Sequence, residues 1–181
     1  MIHARPIMAR MIATLFALGA MAHLAGRVQA ASEPQDVAFV GFRIINDSME
    51  PLSEAEKNRA RLLDDLFKQK LEASGHFNFV DIPEAIRDEI ASGPFIGECN
   101  GCEVDYGRKL GADLIAWGTV QKVSNLILNL NVYMGSVETG QMTYIKSVDI
   151  RGNTDTSWTK GLEWMLKYYM PGAETKGAET Q

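Results

Sequence analysis

Apolar positions along the chain repeat at two spacings, near 2 and near 3.6, and each change of spacing marks an element boundary. Residues 37–45 are β-branched and aromatic on both faces, too few for a typical helix, and read as a buried strand that Asn46-Asp47-Ser48 ends. Ser53-Glu-Ala-Glu56 has the spacing of a capping box, in which the serine hydroxyl and the Glu56 carboxylate satisfy orphan backbone donors. A helix to about residue 73 follows. Leu62, Leu63, Leu66, Phe67 and Leu71 make its apolar stripe, and Gly75 suits the left-handed stop. Residues 76–81 form a short strand with Phe77 and Phe79 on one face. Pro83 opens a brief helix over 84–90, which Ser92-Gly-Pro94 breaks. A loop over 95–102 leads to a helix over 103–110, closed by Gly111, and then to a strand over 113–120.

Strict alternation sets in at 126–133. Leu126, Leu128, Leu130 and Val132 share one side, and Ile127, Asn129, Asn131 and Tyr133 share the other. One side should pack and the other face water or a ligand. Glu138-Thr-Gly140 is a turn signal, and 141–150 is the return strand with Met142, Tyr144, Val148 and Ile150 on one face. Asn153-Thr-Asp155 offers N-caps to a last helix, whose apolar face is Trp158, Leu162, Met165, Leu166 and Tyr169. The order is β-α-β-α-β-β-β-α with a small helix as an extra. It predicts an α/β fold of α+β character: a single mixed sheet with helices mainly on one face. The pattern does not fix the strand order.

The two ends depart from this pattern. Arg5 and Arg10, an apolar run over 11–24 and Val28-Gln29-Ala30 have the layout of a secretory signal, so residues 1–30 are expected to be removed in the exported, periplasmic protein. No cysteine stands at the cleavage point, and no other run is apolar and long enough to span a bilayer. Residues 31–171 fit one domain whose core needs no disulfide staples. Residues 172–181 repeat Gly-Ala-Glu-Thr and read as a disordered tail. The chain carries −5; without Arg5, Arg10 and Arg27 its 15 basic and 23 acidic residues carry −8. An acidic surface repels phosphate backbones and anionic lipid, which excludes nucleic acid as a main partner and argues against membrane contact.

Several stretches carry a family resemblance. Val37-Ala-Phe-Val-Gly-Phe42, Ser74-Gly-His-Phe-Asn-Phe-Val-Asp81, Gly111-Ala-Asp-Leu-Ile-Ala-Trp-Gly-Thr-Val120 and the Glu138-Thr-Gly140 turn follow one another in that order. The succession resembles the superfamily of the TolB amino-terminal domain and the curli-secretion lipoprotein domain. Lys122-Val-Ser-Asn-Leu-Ile-Leu-Asn-Leu-Asn131 and Asp149-Ile-Arg-Gly-Asn-Thr-Asp155, with Trp158, are similar to a bacterial family of exported proteins of unknown function. The resemblance spans 36–170. It implies a TolB amino-terminal-like fold and a non-enzymatic periplasmic accessory or assembly role, with another periplasmic protein as partner. The sequence has no lipobox and no propeller after residue 170, which separates it from an anchored secretion pore and from whole TolB.

Candidate chemistry is sparse. Cys99-Asn-Gly-Cys102 holds both cysteines, and its Asn-Gly turn lets the sulfurs meet. A redox pair at a helix start is one reading; a structural disulfide is the other. Glu98 and Glu103 flank the pair and disfavour a thiolate, which favours the structural reading. Glu103 stands where haem attachment needs histidine, and a zinc site lacks nearby further ligands. A Ser-His-Asp triad would have to use His76, and no nucleophile elbow or phosphate-cradling glycine loop occurs. No cofactor, metal or catalytic residue is expected. Asp64-Asp65 and Asp88-Glu89 read as solvated helix faces. Asn129 and Asn131, with Arg151, Asn153 and Asp155 after the return strand, form the candidate binding surface if the two strands pair. A carrier of a small ligand is a third alternative, which needs an apolar pocket.

Overall fold

The computed structural model describes residues 33–170; the expected signal segment 1–30 and tail 172–181 lie outside them. The elements run β1 (Gln35–Asn46), α1 (Glu54–Ala73), β2 (Phe77–Phe79), α2 (Glu84–Ser92), α3 (Cys102–Lys109), β3 (Leu114–Lys122), β4 (Ile127–Ser136), β5 (Met142–Arg151) and α4 (Asp155–Tyr169). One five-stranded sheet has the order β2-β1-β3-β4-β5. β1 lies parallel to β2 and β3, and β3, β4 and β5 are antiparallel. This is the mixed sheet expected from the sequence.

The long helices α1 and α4 lie side by side on one face, over a core that includes Phe39, Leu63, Phe67, Leu130 and Trp158. Ser53 caps α1 in the full reciprocal box with Glu56. The buried stripe of α1 is Glu56, Ala60, Leu63, Phe67 and Leu71. Leu62 stands about 100° round the helix from Leu63 and is 39% exposed, so it is not part of the stripe. Tyr169 is likewise exposed, and Leu126 precedes β4 and faces solvent. Gly161 brings α4 close to β5: a Cβ there would lie 2.5 Å from Ile150 Cγ2.

The other face is only half covered. α3 and the loop before it pack Ile96 and Tyr106 onto Ala38, Ile115 and Trp117 of β1 and β3. No helix among the described residues packs on this face of β4 and β5. β1 carries a bulge: Phe39 pairs with Ala116 and Phe42 with Gly118, three residues against two. The extra residue keeps Phe39 and Phe42 on the same face, and both join the large core.

Candidate functional site

Two groups of polar residues sit at the Lys122 end of β3. The first is buried. Lys122 continues the inward parity of Val120, and Glu56 lies on the buried stripe of α1, so strand and helix periods deliver a cation and a carboxylate to one point. Lys122 Nζ is 2.6 Å from Glu56 Oε1, and both residues are 2% exposed. Asn153 Nδ2 donates to the same oxygen at 2.6 Å, and Asn153 Oδ1 accepts from Arg59 and from Trp158 Nε1. Arg59 Nε also donates to Asp155 at 2.7 Å. Burial pushes the Glu56 carboxyl up, but hydrogen bonds from Lys122, Ser53 and Asn153 outweigh it and hold it at about 2. Asn153 and Asp155 therefore tie α4 to α1 and β3.

The second group lies on the half-covered face. Ile127 pairs with Arg151, Asn129 with Asp149, Asn131 with Ser147, and Tyr133 with Ile145, so all eight side chains share that face. Asn129 Nδ2 donates to Asp149 Oδ1 at 2.9 Å and Oδ1 accepts from the Ser147 hydroxyl at 3.0 Å. Asn131 Nδ2 donates to Thr119 Oγ1 at 3.1 Å. Tyr133 stacks on Trp117 with ring centroids 5.2 Å apart. Ile127 and Ile145 are 61% and 56% exposed. Asn129, Asn131 and Arg151 thus come together here, whereas Asn153 belongs to the buried junction and Asp155, itself exposed, holds Arg59 at its margin. Hydrogen-bonded amides alternate with exposed apolar side chains on this face.

Cys99 and Cys102 form a disulfide that closes the turn before α3, with Asn100 and Gly101 in left-handed conformations. A Glu103 carboxylate oxygen lies 3.2 Å from the Cys99 sulfur. Cys99, Cys102 and Glu103 have the spacing of a metal site, but the two sulfurs are spent on each other.

Sequence reasoning missed the Glu56–Lys122 pair and the Trp117–Tyr133 stack. The first was signalled by a glutamate in phase with Ala60 and Leu63. The second needed the β3–β4 register, which no local pattern supplies.

A family model described as "Protein of unknown function (DUF2380)" matches residues 35–170, the stretch over which the sequence resemblance runs. No curated protein matches the chain. Solved structures similar to it include the LpoB C-terminal domain from Salmonella enterica, with 13% identity over 68% of this chain and 87% of that one, at a TM-score of 0.47. The PelC dodecamer from Paraburkholderia phytofirmans gives 13% over 76% and 88%, at 0.49. TolB from Acinetobacter baumannii gives 9% over 76% and 30%, at 0.40. These are likenesses of chain path and carry nothing about activity.

Proposed function

The chain belongs to the family described as "Protein of unknown function (DUF2380)", and on that premise we propose that it is a non-enzymatic binding module. It works outside the cytoplasm and docks another exported protein on the uncovered half of its sheet. One observation carries this reading: Ile127 and Ile145 stand exposed on a helix-free sheet face, framed by Asn129, Asn131, Asp149 and Arg151. Apolar centres with polar rims are the anatomy of protein interfaces. The compartment rests on the amino-terminal signal pattern and on the Cys99–Cys102 disulfide, a bond that persists in oxidising compartments.

The test is chemical cross-linking in intact cells with Ile145→Glu, set beside Gln69→Glu on the outer side of α1. Ile145→Glu should remove a specific cross-linked adduct while the melting temperature stays put, and Gln69→Glu should leave the adduct intact. An adduct that survives Ile145→Glu and Ile127→Glu together would sink the assignment of this face.

A further inference from the structure

A cleft lies at the opposite edge of the sheet. β2 pairs with β1 only over residues 35–37, yet β1 runs on to Asn46, so beyond the bulge no strand among the described residues adjoins its outer edge. Gly41 turns the chain there with φ +94°, a conformation that L side chains rarely adopt. Phe42 N–H then points off the edge and donates to Asp64 Oδ1 at 2.6 Å. Asp64 is therefore not the solvated residue its sequence position implies. α2 stands across from this edge, with Ile86 and Ile90 partly buried against the smaller core.

The space between is a cleft of about 500 Å³, a size that suits a small molecule. Its lining is apolar where Phe42, Ile90, Phe95 and Trp117 meet. Its rim carries Arg43, Lys68 and Arg87, and none of the three closes an ion pair among the described residues. The acids on the lining are Asp64 and Asp81, and Asp64 is already engaged by Phe42 N–H. Arg43 lies over the Phe95 ring at 4.3 Å, which fixes its guanidinium plane at the mouth. On a chain of −5, three cations against two acids around an apolar hollow run against the overall charge.

We propose that this cleft binds a small organic anion with an apolar body, its charge on the Arg43, Lys68 and Arg87 rim and its body against Phe42, Phe95 and Trp117. The cleft touches the uncovered face of β4 and β5 only through the Trp117–Tyr133 stack, and the proposal does not depend on docking there. Charge complementarity sets the class of ligand, and the apolar floor sets its amphipathic character.

The experiment titrates the purified protein with 8-anilinonaphthalene-1-sulfonate by calorimetry, with uncharged N-phenyl-1-naphthylamine as the matched probe. One sulfonate should bind per chain, more tightly than the amine. Arg43→Glu with Arg87→Glu should weaken the sulfonate about tenfold, roughly 1.4 kcal/mol, and leave the amine unchanged. Both arginines are exposed, so the fold should tolerate the change. Ala91→Trp, which fills the cleft from α2, should block both probes. Trp164→Ala, in the exposed aromatic cluster of α4, should affect neither. The proposal is overturned if no saturable sulfonate binding occurs, if it survives the double charge reversal at full strength, or if Trp164→Ala abolishes it while Ala91→Trp does not.

Discussion

Lys122 and Glu56 show how a charge is kept inside this fold. Each has lost its water. Glu56 is compensated by Lys122, Asn153 and Ser53, and Lys122 by Glu56 with Glu50 farther off at 3.9 Å. Lys122→Met should cost about 3–5 kcal/mol in urea denaturation, because it strands the Glu56 carboxylate. The double variant Lys122→Met, Glu56→Met should lose much less than Lys122→Met alone, since it leaves no buried charge unpaired. Titration adds a second signature. Glu56 is held at about 2 against an ordinary 4.5, so its contribution is present above pH 4.5 and is lost as pH falls toward 2. Asp64 is the reverse. Burial raises it to about 6 against an ordinary 3.8, with the Phe42 N–H and Lys68 opposing and Asp65 assisting. The folded chain then holds a proton there that the unfolded chain has released, so stability falls as pH rises from about 4 to 6. Asp64→Asn keeps an acceptor for Phe42 N–H without the charge. It should flatten the melting temperature over pH 4–6, and an unchanged slope would rule Asp64 out as its source. The phase of Glu56 with Ala60 and Leu63 was readable locally, but its partner and the role of Asp64 were not. Asp64 and Asp65 look alike in sequence; helical phase sets Asp64 beside the buried stripe, and its partner, Phe42 N–H, comes from the β1 bulge.

At the scale of elements, patterns that repeat within one segment were legible. The capping box, the β4 alternation and the turn before β5 all stand where the sequence puts them. The order of the sheet was not legible, because each apolar strand edge satisfies any partner equally well until the whole topology is closed. Close packing at Gly161 was hidden for the same reason. Gly161→Ala would set a Cβ 2.5 Å from Ile150 Cγ2. It should cost about 1–3 kcal/mol by overpacking, although alanine is the better helix former. The Cys99–Cys102 turn closes so small a loop that replacing both cysteines with serine should cost only about 2 kcal/mol. Its carboxylate surroundings destabilise the thiolates, so its reduction potential should lie below about −300 mV. A value between roughly −120 and −230 mV, the range of catalytic disulfides, would revive a thiol–disulfide role.

For the whole molecule, the decisive property is asymmetry. Two long helices seal one face of the sheet, while α3 and its loop seal only half of the other. The sequence forecast a wet side on β4 through Asn129 and Asn131. It also grouped them with Asn153 and Asp155, which bind Glu56 and Arg59 of α1 instead, because a short turn after β5 carries the chain around to the helical side. What remains exposed is a compact set of Ile127, Asn129, Asn131, Ile145 and Arg151 on one plane. Site-specific photo-cross-linking in intact cells tests docking on the uncovered face. The photoreactive residue is placed in turn at Ile145, at Ile127 and at Gln69. Docking on the uncovered face requires one discrete adduct of the same mass from Ile145 and Ile127 and none from Gln69. An adduct from Gln69 alone, or none from Ile145 and Ile127, would contradict it.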